Sequence, residues 1–363
     1  MQLSAQNLYH YLHQKGLLDT ESVVNGHYTV QEFNTRTQIK KVLMKAGPSL
    51  FIKQAQSNEL SAGMLKREYD AYNLMNRSGL FPDLSAALPQ LLHYDSAYNV
   101  LITELIPESI NLQEYYMNSR QFPDDIARQQ AALLTTFNRA VTAETDTATL
   151  PKILPWVLQL QLHEATAFFP QSPESAKLIA IIKENKFLIE QITAVAAQWK
   201  YTHFIHGDVK WVNFLVEKHN DQIRLKLIDW ELADIGDPLW DAAGLLQSYI
   251  SIWIFGFDNN NPQTPHFPEN FMSFHISAMQ QSARTYLYTY LELTGIAVAE
   301  QPAVLEKIMR YTALRIIQTS IEGVEFDPTL RANNMRCIQL AFNILNDPTH
   351  AIWELLQIKI DKP

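Results

Sequence analysis

A short segment of the chain, "FIHGDVKWVNFLV" (Phe204 to Val216), places charged and amide side chains between apolar runs. Its polar residues include Asp208, Lys210 and Asn213, and Asp229 follows at the end of the apolar alternating run "IRLKLI". Charged side chains beside hydrophobic strands are costly to desolvate unless partners or ligands compensate them. The segment therefore predicts a site that performs chemistry.

The residue types fit phosphoryl transfer from a nucleotide. That reaction needs a carboxylate to orient the attacking hydroxyl and accept its proton, which suits Asp208. It also needs hard oxygen ligands for the magnesium ions that bridge the phosphates, which suits Asn213 and Asp229. Asn213 follows Asp208 by five positions, which is the spacing of a kinase catalytic loop, and that loop too is followed by a metal-binding Asp.

The residues between Asn213 and Asp229 predict a β-hairpin. "FLV" and "IRLKLI" are strand-like, and the turn-like "KHNDQ" separates them. Such a hairpin folds the two polar segments side by side. We therefore expect the side-chain oxygens of Asp208, Asn213 and Asp229 to converge.

The part of the chain that precedes Pro107 predicts a β-rich lobe with one main helix. Turn residues in "NTRT" and "KAGP" separate three β-like runs, which indicates an antiparallel meander. The segment Glu59–Met75 has helical periodicity. The predicted strands are Tyr28–Phe33, Gln38–Met44, Ser49–Ala55, Leu91–Asp95 and Asn99–Ile106.

The predicted helix carries a carboxylate, Glu68, within its apolar stripe. A carboxylate on a buried face needs a cation opposite it, and the nearest upstream candidate is Lys53 on the third predicted strand. We therefore expect an ion pair between Glu68 and Lys53. The alternative is that Glu68 reaches solvent and Lys53 is an ordinary solvated lysine.

The rest of the chain predicts a larger, mainly helical lobe. The residues "PES" indicate a hinge near Pro107, so we expect an N-terminal nucleotide-binding lobe over residues 1–107 and a C-terminal catalytic and substrate-binding lobe over residues 108–363. The fold class is then α+β, with a ligand cleft expected between the lobes. The segment Phe257–Phe271 is rich in Asn and Pro and predicts an exposed loop. The long amphipathic runs are Ile126–Val141, Ala283–Leu293 and Ala303–Ile321.

Composition excludes several classes of partner. The net charge is -9, and the 29 Lys and Arg residues form no cluster, so we expect no broad surface for nucleic acid or anionic membranes.

The single cysteine, Cys337, excludes an internal disulfide and a multi-thiolate metal site, and predicts a small buried residue on a C-terminal helix. "MQLSAQNLYHYLHQKG" resembles neither a signal peptide nor an anchor, and the most apolar run, Tyr249–Phe257, is less than half of the roughly 20 residues that span a bilayer. We expect a cytoplasmic protein.

Two motifs in the second half of the chain resemble those of a known family. "HGDVKWVN" and "LIDWELADIGDPLWDAAG", with Lys53 and Glu68 upstream, resemble the aminoglycoside phosphotransferase and choline kinase-like family, which has a protein-kinase-like fold. The specific match covers Phe204–Gly244. The resemblance implies a two-lobed kinase that uses ATP and magnesium to phosphorylate a hydroxyl group.

The resemblance also implies roles for individual residues. Asp208 is then the catalytic carboxylate, Lys53 binds the α- and β-phosphates, and Glu68 holds Lys53. Asn213 and Asp229 coordinate magnesium. The linker "LITELIPE" (Leu101–Glu108) supplies backbone hydrogen bonds to adenine, for which we single out Thr103, Glu104 and Ile106. Asp241 anchors the backbone of the catalytic loop, and His206 is structural. Independently of the resemblance, Asp237 followed by Pro238 locally predicts the N-cap of a helix.

The sequence departs from the family pattern in three places. No glycine-rich loop is present, so the turn Phe33–Gln38, with Asn34, Thr35 and Thr37, is the candidate that covers the phosphates. Lys210 stands two residues after Asp208, where an ammonium group neutralises a moving γ-phosphate, the alternative being a solvated surface lysine. Trp211 and Val212 replace the small residues common before the Asn, which indicates a different loop shape.

Two other groups of residues receive structural interpretations. The pairs His10 and His13, and His203 and His206, have a spacing that suits zinc, but no third ligand lies nearby in sequence. An aromatic cluster resembles a cage for a quaternary ammonium group, but its positions flank apolar helical runs and favour the core of the helical lobe. That cluster consists of Trp230, Trp240, Tyr249, Trp253, Phe255 and Phe257.

Three functions remain open at the level of sequence. The first is a kinase of small-molecule hydroxyls such as amino alcohols, sugars or antibiotics. The second is a kinase of peptide Ser or Thr hydroxyls that works with a partner lyase in the modification of ribosomal peptides. Lys210 and the large helical lobe favour this second function. The third is a catalytically silent nucleotide-binding scaffold, which the missing glycine-rich loop suggests.

Overall fold

The computed structural model of the chain has an α+β fold that divides into two compact units. The first unit consists of Met1–Asn111, Thr145–Leu150 and Asn213–Ala233, and the second consists of Leu112–Glu144, Pro151–Val212 and Asp234–Pro363. The first unit thus takes in residues 213–233, which the two-lobe prediction assigned to the C-terminal lobe. The structure describes residues 2–34, 38–45, 47–56, 58–77, 79, 81–82, 84–141, 145, 147–162, 172–219, 222–256, 274–324 and 330–360.

The first unit is built on a five-stranded antiparallel sheet. Its strand order is β1-β2-β3-β5-β4, so the first three strands form the predicted meander. The strands are β1 (Tyr28–Asn34), β2 (Gln38–Met44), β3 (Leu50–Gln54), β4 (Leu91–Asp95) and β5 (Val100–Glu104), and the helices are α1 (Leu8–Gln14), α2 (Thr20–Val24) and α3 (Glu59–Arg77).

The two faces of this sheet pack against different helices, one against α1 and the other against α3. Leu50, Ile52 and Ile102 belong to one buried cluster with residues of α1. Lys53 pairs with Leu101 on β5, and Leu101 is buried with Leu65 of α3. Because side chains alternate between the faces of a strand, the alternation of β3 directs Lys53 towards the α3 side of the sheet.

A second, three-stranded sheet in this unit contains the predicted hairpin. Its order is β6-β8-β9, with β6 (Ile110–Asn111), β8 (Phe214–His219) and β9 (Gln222–Leu227). The register of the hairpin pairs Phe214 with Leu227 at one end and His219 with Gln222 at the other. The hairpin prediction is confirmed, and Asn213 and Asp229 flank its open end.

Within its described residues the second unit is mainly helical and has one short antiparallel pair of strands, β7 (His203–Ile205) and β10 (Asp234–Gly236). The predicted run Ile126–Val141 forms a helix that ends earlier, at Phe137, because the backbone of Asn138 leaves the helical conformation. The predicted loop Phe257–Phe271 lies outside the described residues. The helices are α4 (Leu112–Ser119), α5 (Asp124–Phe137), α6 (Pro173–Glu184), α7 (Lys186–Ala196), α8 (Pro238–Phe255), α9 (Ile276–Thr294), α10 (Gln301–Val324), α11 (Ala332–Asn346) and α12 (Pro348–Leu356).

Helix α8 begins where the sequence predicts. The Asp237 side chain accepts a hydrogen bond from the backbone N–H of Leu239, and Pro238 occupies the first turn, so the capping prediction is confirmed. Lys307 and Tyr311 of α10 bind the other oxygen of Asp237, at 2.6 Å and 3.1 Å. The cap therefore also ties α8 to α10.

Two smaller predictions concern burial and the membrane. Cys337 is buried on α11, as predicted, and burial raises the pKa of its thiol to about 12. In the part of the chain that the structure describes, no helix has the length and apolar character needed to cross a bilayer.

Candidate active site

The first functional cluster surrounds Lys53, which lies in the first unit. The Lys53 Nζ donates to both carboxylate oxygens of Glu68, at 2.9 Å and 2.7 Å, and to Asp229 Oδ1 at 2.5 Å. β3 contributes the lysine and α3 contributes the glutamate, which is almost fully buried. The predicted ion pair between Lys53 and Glu68 is confirmed, and Asp229 completes a group of three charges.

The electrostatics of this cluster keep the lysine charged. Burial disfavours the ammonium form, but the Asp229 and Glu68 carboxylates outweigh burial and raise the pKa of the Lys53 amine. Burial, together with the neighbouring Asp229 charge, raises the pKa of Glu68 against the opposing effect of Lys53. Lys53 is therefore a fixed positive charge at neutral pH.

Asp229 occupies an unusual backbone position directly after the hairpin. Its φ of 71° lies in the left-handed region, which non-glycine residues rarely adopt. The following segment is fixed to α3, because the Trp230 N–H bonds to Glu68 and Arg67 Nε donates to the Ala233 carbonyl at 2.7 Å. The Asp229 side chain is 31% exposed, compared with 3% for the side chain of Glu68. Asp229 is thus the carboxylate of this cluster that a ligand can reach.

Asn213 lies beside the segment that carries Asp229. It ends a 3-10 turn over Trp211–Asn213, and its carbonyl accepts a hydrogen bond of 2.9 Å from the Ile228 N–H. One amide and one carboxylate therefore flank the open end of the hairpin. Both supply the hard oxygen donors that Mg²⁺ prefers, and Mg²⁺ takes its remaining ligands from water and phosphate. The donor set thus fits magnesium, and the described residues contain no group of three or more His, Cys, Asp or Glu that could hold a metal by itself.

The predicted adenine-binding residues lie at the end of β5 and just beyond it. Thr103 is buried in the sheet, between Phe51 and Leu91 in register. The Glu104 N–H donates to the Gln90 carbonyl at 2.8 Å. Ile106 is buried, and its carbonyl accepts a bond of 2.9 Å from Ser109 Oγ.

The second cluster surrounds Asp208, which lies in the second unit. Lys210 Nζ lies 2.6 Å from Asp208 Oδ2, and an Arg315 amino group lies 2.9 Å from Asp208 Oδ1. Burial favours protonation of Asp208, but Lys210 and Arg315 outweigh it and hold the pKa of this carboxyl well below its usual range. The same contact with Asp208 raises the pKa of Lys210. Asp208 is therefore ionised throughout the physiological range, and Lys210 is an ion-pair partner instead of an ordinary solvated lysine.

The backbone around Asp208 is anchored as predicted. The N–H groups of His206 and Gly207 donate to the two oxygens of Asp241, at 2.7 Å and 2.9 Å. His206 Nδ1 accepts the Asp208 N–H at 3.2 Å, in agreement with a structural role. Asn138 Nδ2 donates to the same Asp241 carboxylate at 2.8 Å. Three donors converge on this buried carboxylate and hold the loop.

Close packing of α8 also fixes the loop. A Cβ atom placed on Gly244 meets the Val209 carbonyl oxygen at 2.5 Å, so only glycine allows the helix to come this near. Trp211 is fully buried, and the centroid of its ring lies 4.6 Å from the ring centroids of both Tyr116 and Tyr249. The large residue before Asn213 is therefore accommodated in an aromatic core.

Sequence reasoning missed the contribution of α10. Arg315, Gln318 and Glu322 follow one another at helical spacing, and Gln318 Nε2 donates to Glu322 at 2.8 Å. Burial raises the pKa of Glu322, and the Asp208 charge raises it further. The sequence signal that points to Arg315 is its position among the apolar residues of "ALRII" in α10.

The remaining candidates from the sequence are a histidine pair, the aromatic cluster and the phosphate-covering turn. His13 Nε2 lies 3.2 Å from Thr20 Oγ1. Trp240 and Tyr249 are buried in the second unit, which confirms the interpretation as helical core for these two residues. Trp253 and Phe255 are half-buried on α8. Trp230 is fully buried but belongs to the first unit, so it is not part of that helical core. The phosphate-covering role proposed for Thr35 and Thr37, like Phe257 of the aromatic cluster, lies outside the described residues.

One family model and several solved structures match the chain. The model of the phosphotransferase enzyme family matches residues 40–264, and no curated protein sequence matches the chain. Choline kinase LicA from Streptococcus pneumoniae is similar in structure, with a TM-score of 0.54 at 16% identity over 92% of this chain and 99% of that one. Its complex with AMP gives a TM-score of 0.52 at 16% identity over 94% and 97% of the two chains.

Two further solved structures share the fold. Choline kinase from Cryptosporidium parvum Iowa II gives a TM-score of 0.52 at 12% identity over 97% of both chains. A macrolide 2'-phosphotransferase type I gives 0.50 at 12% identity over 95% of this chain and 98% of that one. At such identities the likeness concerns the fold. The family match, in contrast, covers more than half of the sequence, and on that ground the chain belongs to the phosphotransferase enzyme family.

Proposed function

We propose that this phosphotransferase transfers the γ-phosphate of ATP to a hydroxyl group of a small molecule, with magnesium held by Asn213 and Asp229. The observation that carries the proposal is that the chain contains two different charge arrangements, one in each unit. Lys53 is a buried, permanently charged amine beside a reachable carboxylate, and Asp208 is a carboxylate kept ionised by two cations. The first arrangement suits a polyphosphate and its metal, and the second suits an alcohol.

On the nucleotide side, Lys53 binds the α- and β-phosphates and Glu68 fixes its direction. Asp229 and Asn213 would hold magnesium, which when bound would supply positive charge to the phosphates. Because Asp229 contacts Lys53 directly at 2.5 Å, both groups act on the same polyphosphate. The end of β5, with Thr103, Glu104 and Ile106, receives the adenine ring.

On the acceptor side, Asp208 orients the hydroxyl by accepting its hydrogen bond. The low pKa of this carboxyl makes it a poor base towards a neutral alcohol, so the proton moves late, after the new bond to phosphorus has largely formed. Lys210 has a partly exposed side chain that can move from Asp208 to the transferred phosphate. That movement gives Lys210 the catalytic role assigned to it from the sequence.

A small acceptor is favoured by the proteins that share the fold. One is named for phosphorylating choline and another for phosphorylating the 2' position of a macrolide. None of the described residues distinguishes a peptide hydroxyl, and these proteins offer no support for a partner lyase. The acceptor is therefore proposed as a hydroxyl-bearing small molecule.

The test is a screen for phosphate transfer by mass spectrometry. The protein is incubated with Mg-ATP and separate acceptors (amino alcohols, sugars, macrolide and aminoglycoside antibiotics, and Ser- or Thr-containing peptides), and each acceptor is examined for a gain of one phosphate group. Asp208→Asn should abolish the gain and leave nucleotide binding nearly intact. Asp125→Asn, at an exposed site on α5, is the matched control and should transfer normally.

Each other outcome removes a specific part of the proposal. Phosphate found only on peptides overturns the small-molecule acceptor. Full turnover by Asp208→Asn overturns the role of Asp208. Binding of Mg-ATP without transfer to any acceptor supports the catalytically silent scaffold instead.

A further inference from the structure

Arg315 binds the loop that carries Asp208 at several points. One amino group of its guanidinium donates to Asp208 Oδ1 at 2.9 Å and to the Val209 carbonyl at 3.3 Å. The other donates to the Gly207 carbonyl at 3.5 Å. A single planar group thus contacts three consecutive residues of the loop.

The surroundings of Arg315 hold it in one place. Its side chain is only 3% exposed, its guanidinium carbon lies 5.3 Å from the centre of the Trp240 ring, and Gln318 on the next turn of α10 accepts a further bond at 3.4 Å. Lys210, the other cation on Asp208, has a side chain that is 37% exposed. The two cations therefore differ in freedom, because the arginine is fixed by its packing and the lysine reaches solvent.

We propose that Arg315 is a positioning residue for phosphoryl transfer, which fixes Asp208 Oδ1 so that Oδ2 receives the hydroxyl of the acceptor. This inference rests on the function proposed above. In the reaction, the acceptor oxygen forms a bond to the γ-phosphorus, the bond from that phosphorus to the bridging oxygen of ADP breaks, and the hydroxyl proton passes to Oδ2. Arg315 touches none of the reacting atoms and acts only through Asp208.

The chemistry of the contact requires arginine. A guanidinium group has five donors in a rigid plane and keeps its charge at every physiological pH, so it can bridge a carboxylate and two carbonyls. A lysine at this position carries the charge but cannot span the three acceptors. The charged and titratable groups that face Asp208 are Lys210 and His206 on its own loop, and Arg315 and Glu322 on α10.

The test compares Arg315→Lys and Arg315→Met with wild type in steady-state kinetics across pH. For Arg315→Met we expect kcat to fall on the order of 100-fold, as for a small misplacement of a reacting group, with the KM for ATP within about twofold of wild type. The acid limb of the pH profile should move to higher pH, because Asp208 loses one of the cations that hold its pKa down. Arg315→Lys should recover part of kcat and keep the limb near that of wild type.

The control is Arg310→Lys on the same helix, where the arginine binds Gln191 and not the loop. It should leave kcat, KM and the pH profile unchanged. The proposal is overturned if Arg315→Met keeps kcat within twofold of wild type. It is equally overturned if kcat falls while the acid limb stays in place, since Arg315 then supports only the fold. Should Arg315→Met fail to fold, the same criteria apply to Arg315→Lys, with a smaller expected loss.

A second measurement does not depend on phosphate transfer. Melting temperatures of wild type, Arg315→Lys, Asp208→Asn and the double variant form a cycle that reports the coupling between the two side chains. We expect the arginine substitution to lower the melting temperature less in the Asp208→Asn background than in wild type. Additive shifts contradict the contact itself. If coupling is present but no variant, wild type included, transfers phosphate, the proposed function fails and the contact stands.

Discussion

Replacing Gly244 by alanine should reduce activity more than it reduces stability. Gly244 lies inside α8, and a Cβ atom there comes within 2.5 Å of the Val209 carbonyl oxygen and within 3.4 Å of Arg315 Nε. The first of these contacts is to backbone, which cannot swing aside as a flexible side chain can. Because ordinary contacts of a carbon atom lie at roughly 3.5 Å, the helix and the loop must separate by up to about 1 Å.

The expected magnitudes follow from two opposing terms. Overpacking of this kind costs about 1–3 kcal/mol, and alanine gains up to about 1 kcal/mol over glycine within a helix. The net loss of unfolding free energy is then about 0–2 kcal/mol. A displacement of about 1 Å beside Asp208 lowers kcat by about 100-fold, since transfer depends on the alignment of the hydroxyl.

The assay pairs kcat from a coupled measurement of ADP release with unfolding by denaturant. Gly63→Ala in α3 is the matched control, because its added Cβ meets nothing within 4 Å apart from its chain neighbours and the backbone of its own helix. The control should be as active as wild type and equally or slightly more stable. The reasoning is refuted if kcat of Gly244→Ala stays within twofold of wild type. It is also refuted if the fraction of the variant that is unfolded accounts for the whole loss of kcat.

Two further substitutions test the groups that hold each cluster. Glu68→Gln leaves Lys53 with Asp229 as its principal anionic partner, so the affinity for ATP should fall by on the order of tenfold and the unfolding free energy by about 1–3 kcal/mol. An ATP titration and denaturant unfolding measure both effects, with the exposed Glu59→Gln on the same helix as control; an unchanged affinity contradicts the role of Glu68. Asp241→Asn replaces one acceptor by an NH₂ group that faces backbone donors, so it should cost about 1–3 kcal/mol and lower kcat without changing the KM for ATP. Steady-state kinetics with normal kcat would show that the loop does not need this anchor.

Local patterns in the sequence were sufficient for the ion pair between Lys53 and Glu68 and for the β-hairpin. Lys53 and Glu68 could be paired because a carboxylate on the apolar stripe of a helix needs a cation, and the strand before it supplies one. The hairpin could be predicted because alternation and turn residues are local properties. It correctly placed Asn213 and Asp229 at a common end.

Other features depend on contacts that local patterns do not record. Arg315 meets Asp208 across 107 positions of sequence, and its partner is decided by how α8 and α10 pack. The left-handed backbone of Asp229 and its direct bond to Lys53 arise from the way the turn after β9 meets α3. The early end of α5 has a similar cause, since Asn138 leaves the helix to bind Asp241. In each case tertiary contacts override the local preference.

The most direct test of the account is the magnesium dependence of nucleotide binding. Calorimetry with a non-hydrolysable ATP analogue is carried out on wild type and on Asp229→Asn, with Mg²⁺ and with a chelator. Magnesium should tighten binding to wild type by about tenfold or more, which is about 1.4 kcal/mol, and Asp229→Asn should lose most of that gain. Equal binding by wild type with and without Mg²⁺, or a full magnesium effect in Asp229→Asn, would contradict the account.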